Sequence, residues 1–143
     1  MKRYYALIIT CFLLIIICWN ITLTPTGSME PTIQPWHVYR CVRWPLMPEP
    51  ERGDIVLYKA EGKQYLKRLV GLPGDEIDVM GGKVYLHGSE LTGQPYTAVE
   101  GHWDVGDGEM FVLGDNRDVS LDSRYTEALP LLKNIKGIVP LVE

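Results

Sequence analysis

Residues Tyr4 to Leu23, YYALIITCFLLIIICWNITL, run for twenty positions without a charge, and nothing else restricts the chain as strongly. At about 1.5 Å per residue a helix of that length covers about 30 Å, one hydrocarbon thickness. Tyr4, Tyr5 and Trp19 fall near the ends of the run, where interfacial aromatics belong. Lys2 and Arg3 precede it, and no basic residue follows until Arg40. The positive-inside rule then puts the N-terminus in the cytoplasm and everything after Thr24 on the outer face. The expectation is one cytoplasmic N-terminus and transmembrane helix over residues 1–24, then an extracytoplasmic domain over 25–143. A cleavable leader is the competing reading. Its basic start fits, but the run exceeds the usual apolar core of about 7–15 residues, and no A-x-A-like site follows.

The remaining stretch of about 119 residues is long enough to bury one core. A net charge of −4 leaves no electrostatic footprint for nucleic acid. Cys11 and Cys18 lie in the apolar run, which leaves Cys41 alone and without an intramolecular partner. No Cys/His spacing suits zinc, and His37, His87 and His102 share no ligand-like interval, so neither a metal nor another cofactor is expected. Short β-rich runs bounded by Gly and Pro follow one another: HVYRCVR, DIVLYK, QYLKRLV, EIDVM, KVYL, MFVL and GIVPLV. EIDVMGGKVYL reads as a hairpin turning at Gly81-Gly82. The fold class is therefore mainly β, an antiparallel sheet or barrel-like domain. Leu91 to Glu109 reads as a long loop. Trp36, Trp44, Leu46 and Met47 are apolar residues of the domain placed where they can dip into a bilayer.

Four fragments hold the polar residues that could do chemistry: SMEPT at 28–32, RGDIV at 52–56, YLKRLVGLPGD at 65–75 and GDNRDVSLDSR at 114–124. Ser28, between Gly27 and Met29, is either turn chemistry or a nucleophile. Lys67 interrupts an apolar strand pattern next to Arg68, and period two sends these neighbours to opposite faces. It is either a solvated strand residue or an amine desolvated enough to lose its proton near neutral pH. The last fragment fails as a calcium loop, with Ser123 at the position needing Gly and Leu129 at the position needing Glu. There is no phosphate-binding GxxxxGK loop and no histidine triad.

Taken together, and in this order, the fragments resemble the conserved boxes of bacterial type I signal peptidases, the membrane-bound Ser–Lys proteases of peptidase family S26. The resemblance spans Thr26 to Arg124. It implies Ser28 as nucleophile and Lys67 as general base, with Ser120 orienting the lysine. It implies Thr26 as an oxyanion donor, with a methyl that the family's usual serine lacks. Met29 and Leu66 match walls of shallow pockets for small side chains, and Asp122 and Arg124 match a structural ion pair.

On that resemblance the expected activity is removal of N-terminal signal peptides from exported preproteins at the inner membrane, with preprotein and lipid bilayer as partners. The chain departs from the larger members: about 38 residues separate Asp75 from Gly114, so only a short insertion near 76–109 fits. A specialised peptidase for a substrate such as a conjugation pilin, or a membrane-tethered assembly module without catalysis, are the other readings. The latter need keep none of Ser28, Lys67 and Ser120. A self-cleaving repressor of Ser–Lys type is disfavoured by the apolar anchor and by the lack of a DNA-binding segment.

Overall fold

A computed structural model describes residues 2–24 and 26–140, with side chains in the N-terminal helix described for Tyr4 to Ile15. That helix, α1, covers Lys2–Trp19. Its described side chains stand out from the rest of the chain, with Tyr4, Leu7, Ile8, Phe12 and Ile15 all exposed. Among the described residues no helix is long and apolar enough to cross a membrane. The unbroken helical span expected over Tyr4–Leu23 is corrected accordingly. Helix ends at Trp19, and after Asn20 the β-branched ITLT becomes a strand, β1 (Ile21–Thr24).

Antiparallel pairing builds the rest. β1 pairs with β2 (His37–Arg40) as a two-stranded ribbon. Asn20 fixes the junction with the helix: its carbonyl accepts from Cys41 N–H at 2.7 Å, and its side-chain oxygen accepts from Arg43 N–H at 3.1 Å. The main sheet has five strands in the order β10-β5-β4-β11-β3, from Phe111–Leu113, Lys63–Gly71, Ile55–Ala60, Ile135–Val139 and Val42–Arg43 respectively. β4 lies between β5 and β11, and its first four residues, IVLY, are buried on both faces. That explains a continuous apolar run instead of an alternating one. A second sheet, in the order β8-β7-β6-β9, comes from Ser89–Glu90, Lys83–Leu86, Glu76–Met80 and Gly101–Asp104. Both are open sheets with edge strands, not a closed barrel.

The hairpin read at Gly81-Gly82 is present, with Met80 opposite Lys83 and both glycines at positive φ. Glu61-Gly62 and His87-Gly88 repeat the same device, two left-handed residues closing a two-residue turn that matches strand twist. The long loop expected over 91–109 is corrected in part. Residues 101–104 form β9 and pair with β6, while 91–100 lack strand structure. Of the run GIVPLV, the residues up to Pro140 are described and the remainder lies outside them.

Three apolar clusters fill the interior. One lies under the N-terminal polar loop and joins Met29, Ile33, Cys41, Ile55, Leu57, Leu66 and Val139. A second joins Val56, Tyr58, Leu69, Val112 and Ile138. The third, around Val70, Ile77, Val79, Phe111 and Leu113, binds the second sheet to the first. Trp36, Trp44 and Leu46 are exposed, whereas Met47 packs against the second cluster. The grouping of Met47 with the other three as surface residues is therefore corrected.

Candidate active site

Lys67 stands in the middle of β5, opposite Val56 of β4, on the strand face of Tyr65 and Leu69. It is 4% exposed. Its Nζ donates to Ser28 Oγ at 2.7 Å, which closes a contact between residues 39 positions apart in the chain. Burial pulls its pKa down from 10.5 to about 8; Arg124 pulls the same way, while Asp122 and Asp115 oppose. The free amine is therefore accessible near neutral pH, and a neutral amine beside a hydroxyl can take its proton.

Ser28 is also buried, in the turn that follows β1. Glu30 N–H donates to Gly27 O and Ile33 N–H to Met29 O, so this polar loop is held by its own backbone. Ser28 O accepts from Asn116 N–H at 3.0 Å, which fastens the loop to 114–124. Thr26 Oγ1 lies 3.5 Å from Ser28 Oγ. Thr26 is exposed, at the mouth of the site.

Loop 114–124 forms the floor on the other side. Ser120 is 3% exposed, and among the described residues its Oγ has no hydrogen-bond partner. The hydrogen bond expected between Ser120 and Lys67 is not formed here. Gly114 explains how closely this loop packs: a Cβ there would lie 2.1 Å from Ser120 Oγ and 2.5 Å from Ser28 O. Asp122 and Arg124 form an ion pair, 2.8 Å apart and essentially without solvent contact. Asp122 also accepts from Gly114 N–H at 2.9 Å.

A cleft of about 510 Å³ opens over Ser28 and Lys67. One wall is β1, through Thr22, Leu23 and Thr24, and the other is β5 from Lys63 to Lys67. Leu57 and Leu66, opposite one another in β4 and β5, form its apolar part, and Val119 and Leu121 its rim. Leu66, matched to a pocket wall by the resemblance, lines this cleft. Met29 does not line this cleft; it is buried beneath, in the cluster with Leu57 and Leu66.

β10 pairs with β5 only from Arg68 to Gly71, so the edge of Lys63 to Lys67 on that side carries no strand among the described residues. An extended peptide in the cleft could pair with that edge.

Several neighbours of the site are invisible to a reading of sequence fragments. Thr22 lies inside the apolar run and Thr24 just past its end, and only strand formation turns them into a wall. Leu57 is found by pairing β4 with β5 and asking what faces Leu66. Arg68 grips Asp115 with two nitrogens, at 2.8 and 2.6 Å, and Thr32 Oγ1 donates to the same carboxylate at 2.6 Å.

Far from the cleft, Glu76, Asp78 and His102 bring one potential metal-ligand atom each within 4.8 Å of one another. His102 Nδ1 lies 2.8 Å from Asp78. These residues share a partly exposed patch of the second sheet through strand pairing, which no interval along the chain could signal.

Likeness to known proteins agrees with the geometry. A family profile described as signal peptidase, peptidase S26, matches residues 1–142. A probable signal peptidase I-2 of Synechocystis is 37% identical over 121 residues, covering 74% of this chain and 55% of that protein. A signal peptidase I of Bacillus licheniformis is 35% identical over 130 residues, covering 77% of this chain and 68% of the relative. The chain thus spans from about half to two thirds of the length of these curated relatives. The crystal structure of a signal peptidase I from Enterococcus faecalis V583 superposes with a TM-score of 0.58 at 27% identity, over 66% of this chain and 99% of that one. A buried lysine against a loop serine, on antiparallel sheets of matching fold and in a sequence matched almost throughout, has one consistent source: this chain belongs to the signal peptidase family, peptidase S26.

Proposed function

We propose that the chain is a membrane-bound serine endopeptidase that removes N-terminal signal peptides from exported preproteins, with Ser28 as nucleophile and Lys67 as general base. The observation that carries this reading is the 2.7 Å contact between Lys67 Nζ and Ser28 Oγ at the base of an apolar-walled cleft.

A serine hydroxyl attacks poorly until a base removes its proton. Neutral Lys67 takes that proton as Oγ adds to the scissile carbonyl. The ammonium so formed protonates the leaving amine, and Lys67, neutral again, activates the water that releases the acyl group. The oxyanion receives the Ser28 N–H, and the Thr26 hydroxyl on substrate binding; one such donor is typically worth ~10²–10³ in rate. Ser120 Oγ, buried and without a partner among the described residues, is free to turn to the Lys67 amine and fix its direction. The substrate lies extended against Lys63 to Lys67, so alternate side chains enter the Leu57 and Leu66 side. That shallow apolar space suits small residues at −1 and −3, with Met29 acting as the layer beneath. Asp122 and Arg124 hold the floor.

The membrane setting belongs to the same proposal. The apolar, outward-facing side chains of α1 and the Lys2 and Arg3 at its start support a single-pass anchor with its N-terminus in the cytoplasm and the cleft on the outer face. Exposed Trp36, Trp44 and Leu46 suit contact with the bilayer surface.

The test is processing of a preprotein with alanine at −1 and −3. The full chain cleaves it after −1, and Ser28→Ala and Lys67→Ala variants do not. Normal processing by either variant overturns the Ser28–Lys67 dyad, whereas a covalent acyl-type inhibitor that fails to label Ser28 favours a tethered assembly module. Cleavage confined to one substrate, such as a pilin precursor, makes the enzyme a specialised one.

A further inference from the structure

The short insertion between the two halves of the catalytic region reaches back to the floor of the cleft. Thr97 is fully buried, and its N–H donates to Gly82 O at 3.1 Å, at the tip of the β6–β7 hairpin. Tyr96 lies across Gly82 so closely that a Cβ there would fall 1.9 Å from the ring. On its other side the same segment meets two arginines of loop 114–124. Arg124 Nη1 donates to Thr97 Oγ1 at 2.5 Å, and Arg117 donates to Gln94 Oε1 at 2.7 Å and to Pro95 O at 3.3 Å.

Both guanidinium groups are buried, and the rest of their donors go to the floor itself. Arg117 Nε reaches Gly114 O at 2.7 Å. Arg124 reaches Asp122 through two nitrogens, and also Arg117 O at 2.9 Å. Of the two arginines Asp122 bonds to Arg124 alone, and among the described residues no carboxylate bonds to Arg117, on which Asp122 and Asp115 act only through space. Oxygen atoms of residues 94–97 supply acceptors that the floor does not. A buried guanidinium with an unmatched donor costs stability and shifts until it finds a partner. These arginines brace Gly114 and Ser120 through their carbonyls, and Gly114 packs against both Ser120 and the Ser28 carbonyl.

We infer that residues 94–97 are a clamp on loop 114–124, and that Thr97 and Gln94 are positioning residues for the Ser28–Lys67 pair. Neither touches the cleft or the substrate. Their effect passes through Arg124 and Arg117 to Gly114, Ser120 and the Ser28 carbonyl. The insertion near 76–109 therefore serves the site, instead of merely connecting two parts of it.

The inference rests on the proposed peptidase reading, and the test separates the two. In the full chain, Thr97→Val keeps the shape and removes the acceptor. The expected result is a kcat about tenfold lower with KM unchanged, and Thr97→Ser returns most of the loss. Gln94→Met, at a half-exposed position where folding is not at stake, lowers kcat by a few-fold. The second readout is NMR titration of the Lys67 side-chain amine, which needs no substrate. Asp122, Arg124 and Asp115 are the charged groups that act on it. Loosening the clamp admits water, so its midpoint rises in Thr97→Val. Unchanged kcat and an unchanged Lys67 midpoint in folded Thr97→Val and Gln94→Met overturn the clamp, and so does a change in KM alone. Should the unaltered chain fail to process any preprotein, the peptidase reading falls, while the shift in the Lys67 titration still decides for or against the clamp.

Discussion

Lys67 and Arg68 are consecutive on β5, both largely withdrawn from water, and the protein treats their charges in opposite ways. Arg68 meets the Asp115 carboxylate with two nitrogens, and that hydrogen-bonded pairing raises its pKa. Lys67 is given a hydroxyl as its direct partner, and burial lowers its pKa to about 8. Period two places these groups on opposite faces of the strand, so one β-strand carries a locked cation and a sheddable one side by side. The difference lies in what stands within hydrogen-bond distance. A carboxylate in contact keeps a buried cation charged, and carboxylates held further off do not outweigh desolvation.

Replacing each residue in turn tests this contrast where it is largest. Lys67→Met removes the proposed base and costs at least about 10⁴-fold in preprotein processing. Arg68→Lys keeps the charge but loses the two-nitrogen grip, and costs about tenfold or less by the same assay.

Stability then separates the pair by sign. Arg68→Met leaves Asp115 buried with the Thr32 hydroxyl in place of a cation, and is expected to destabilise the fold by about 3 kcal/mol. Lys67→Met replaces a poorly solvated amine with an apolar chain of similar length, and is expected to stabilise it by about 1 kcal/mol. Thermal unfolding of the detergent-solubilised chain measures both. A loss of stability in Lys67→Met would break the comparison.

The last test of the pair is in pH. In the proposed mechanism the active form of Lys67 is the neutral amine, so the processing rate is expected to rise with pH through a midpoint near 8. The folded chain releases this proton near 8 and the unfolded chain near 10.5. Between these values the unfolded chain binds more protons, so this group makes stability rise with pH; below 8 both states hold the proton and the contribution is flat. Lys67→Met should abolish that rise, and Arg68→Lys should retain it.

How much of this could be read from the sequence depends on the range of the signal. The strands of the main sheet announce themselves because short apolar runs and the turns that bound them are local signals. Ser28, Lys67, Ser120, Asp122 and Arg124 were legible as a set of fragments, and the fold gathers them at one place. β1 was hidden because ITLT continues an apolar run, and only pairing with β2 separates it from the helix. β9 was hidden because GHWD has one large apolar residue, and its register comes from β6. Met29 was assigned to a pocket wall but turns inward, since the loop that presents Ser28 also plugs the core with its neighbour. The Arg68–Asp115 pair and the clamp by residues 94–97 join positions whose separation along the chain obeys no period.

One further consequence follows from Asn20. It is the single residue between α1 and β1, and two hydrogen bonds tie it to Cys41 and Arg43. A linker with slack would let a helix and its cargo move independently. Here the helix end and the cleft wall share a common datum, and Ser28 follows only eight positions later. In the proposed membrane setting the chain becomes a depth gauge. How far the helix sinks sets the height at which Thr22 and Thr24 stand, and with it which peptide bond of an emerging chain comes level with the serine.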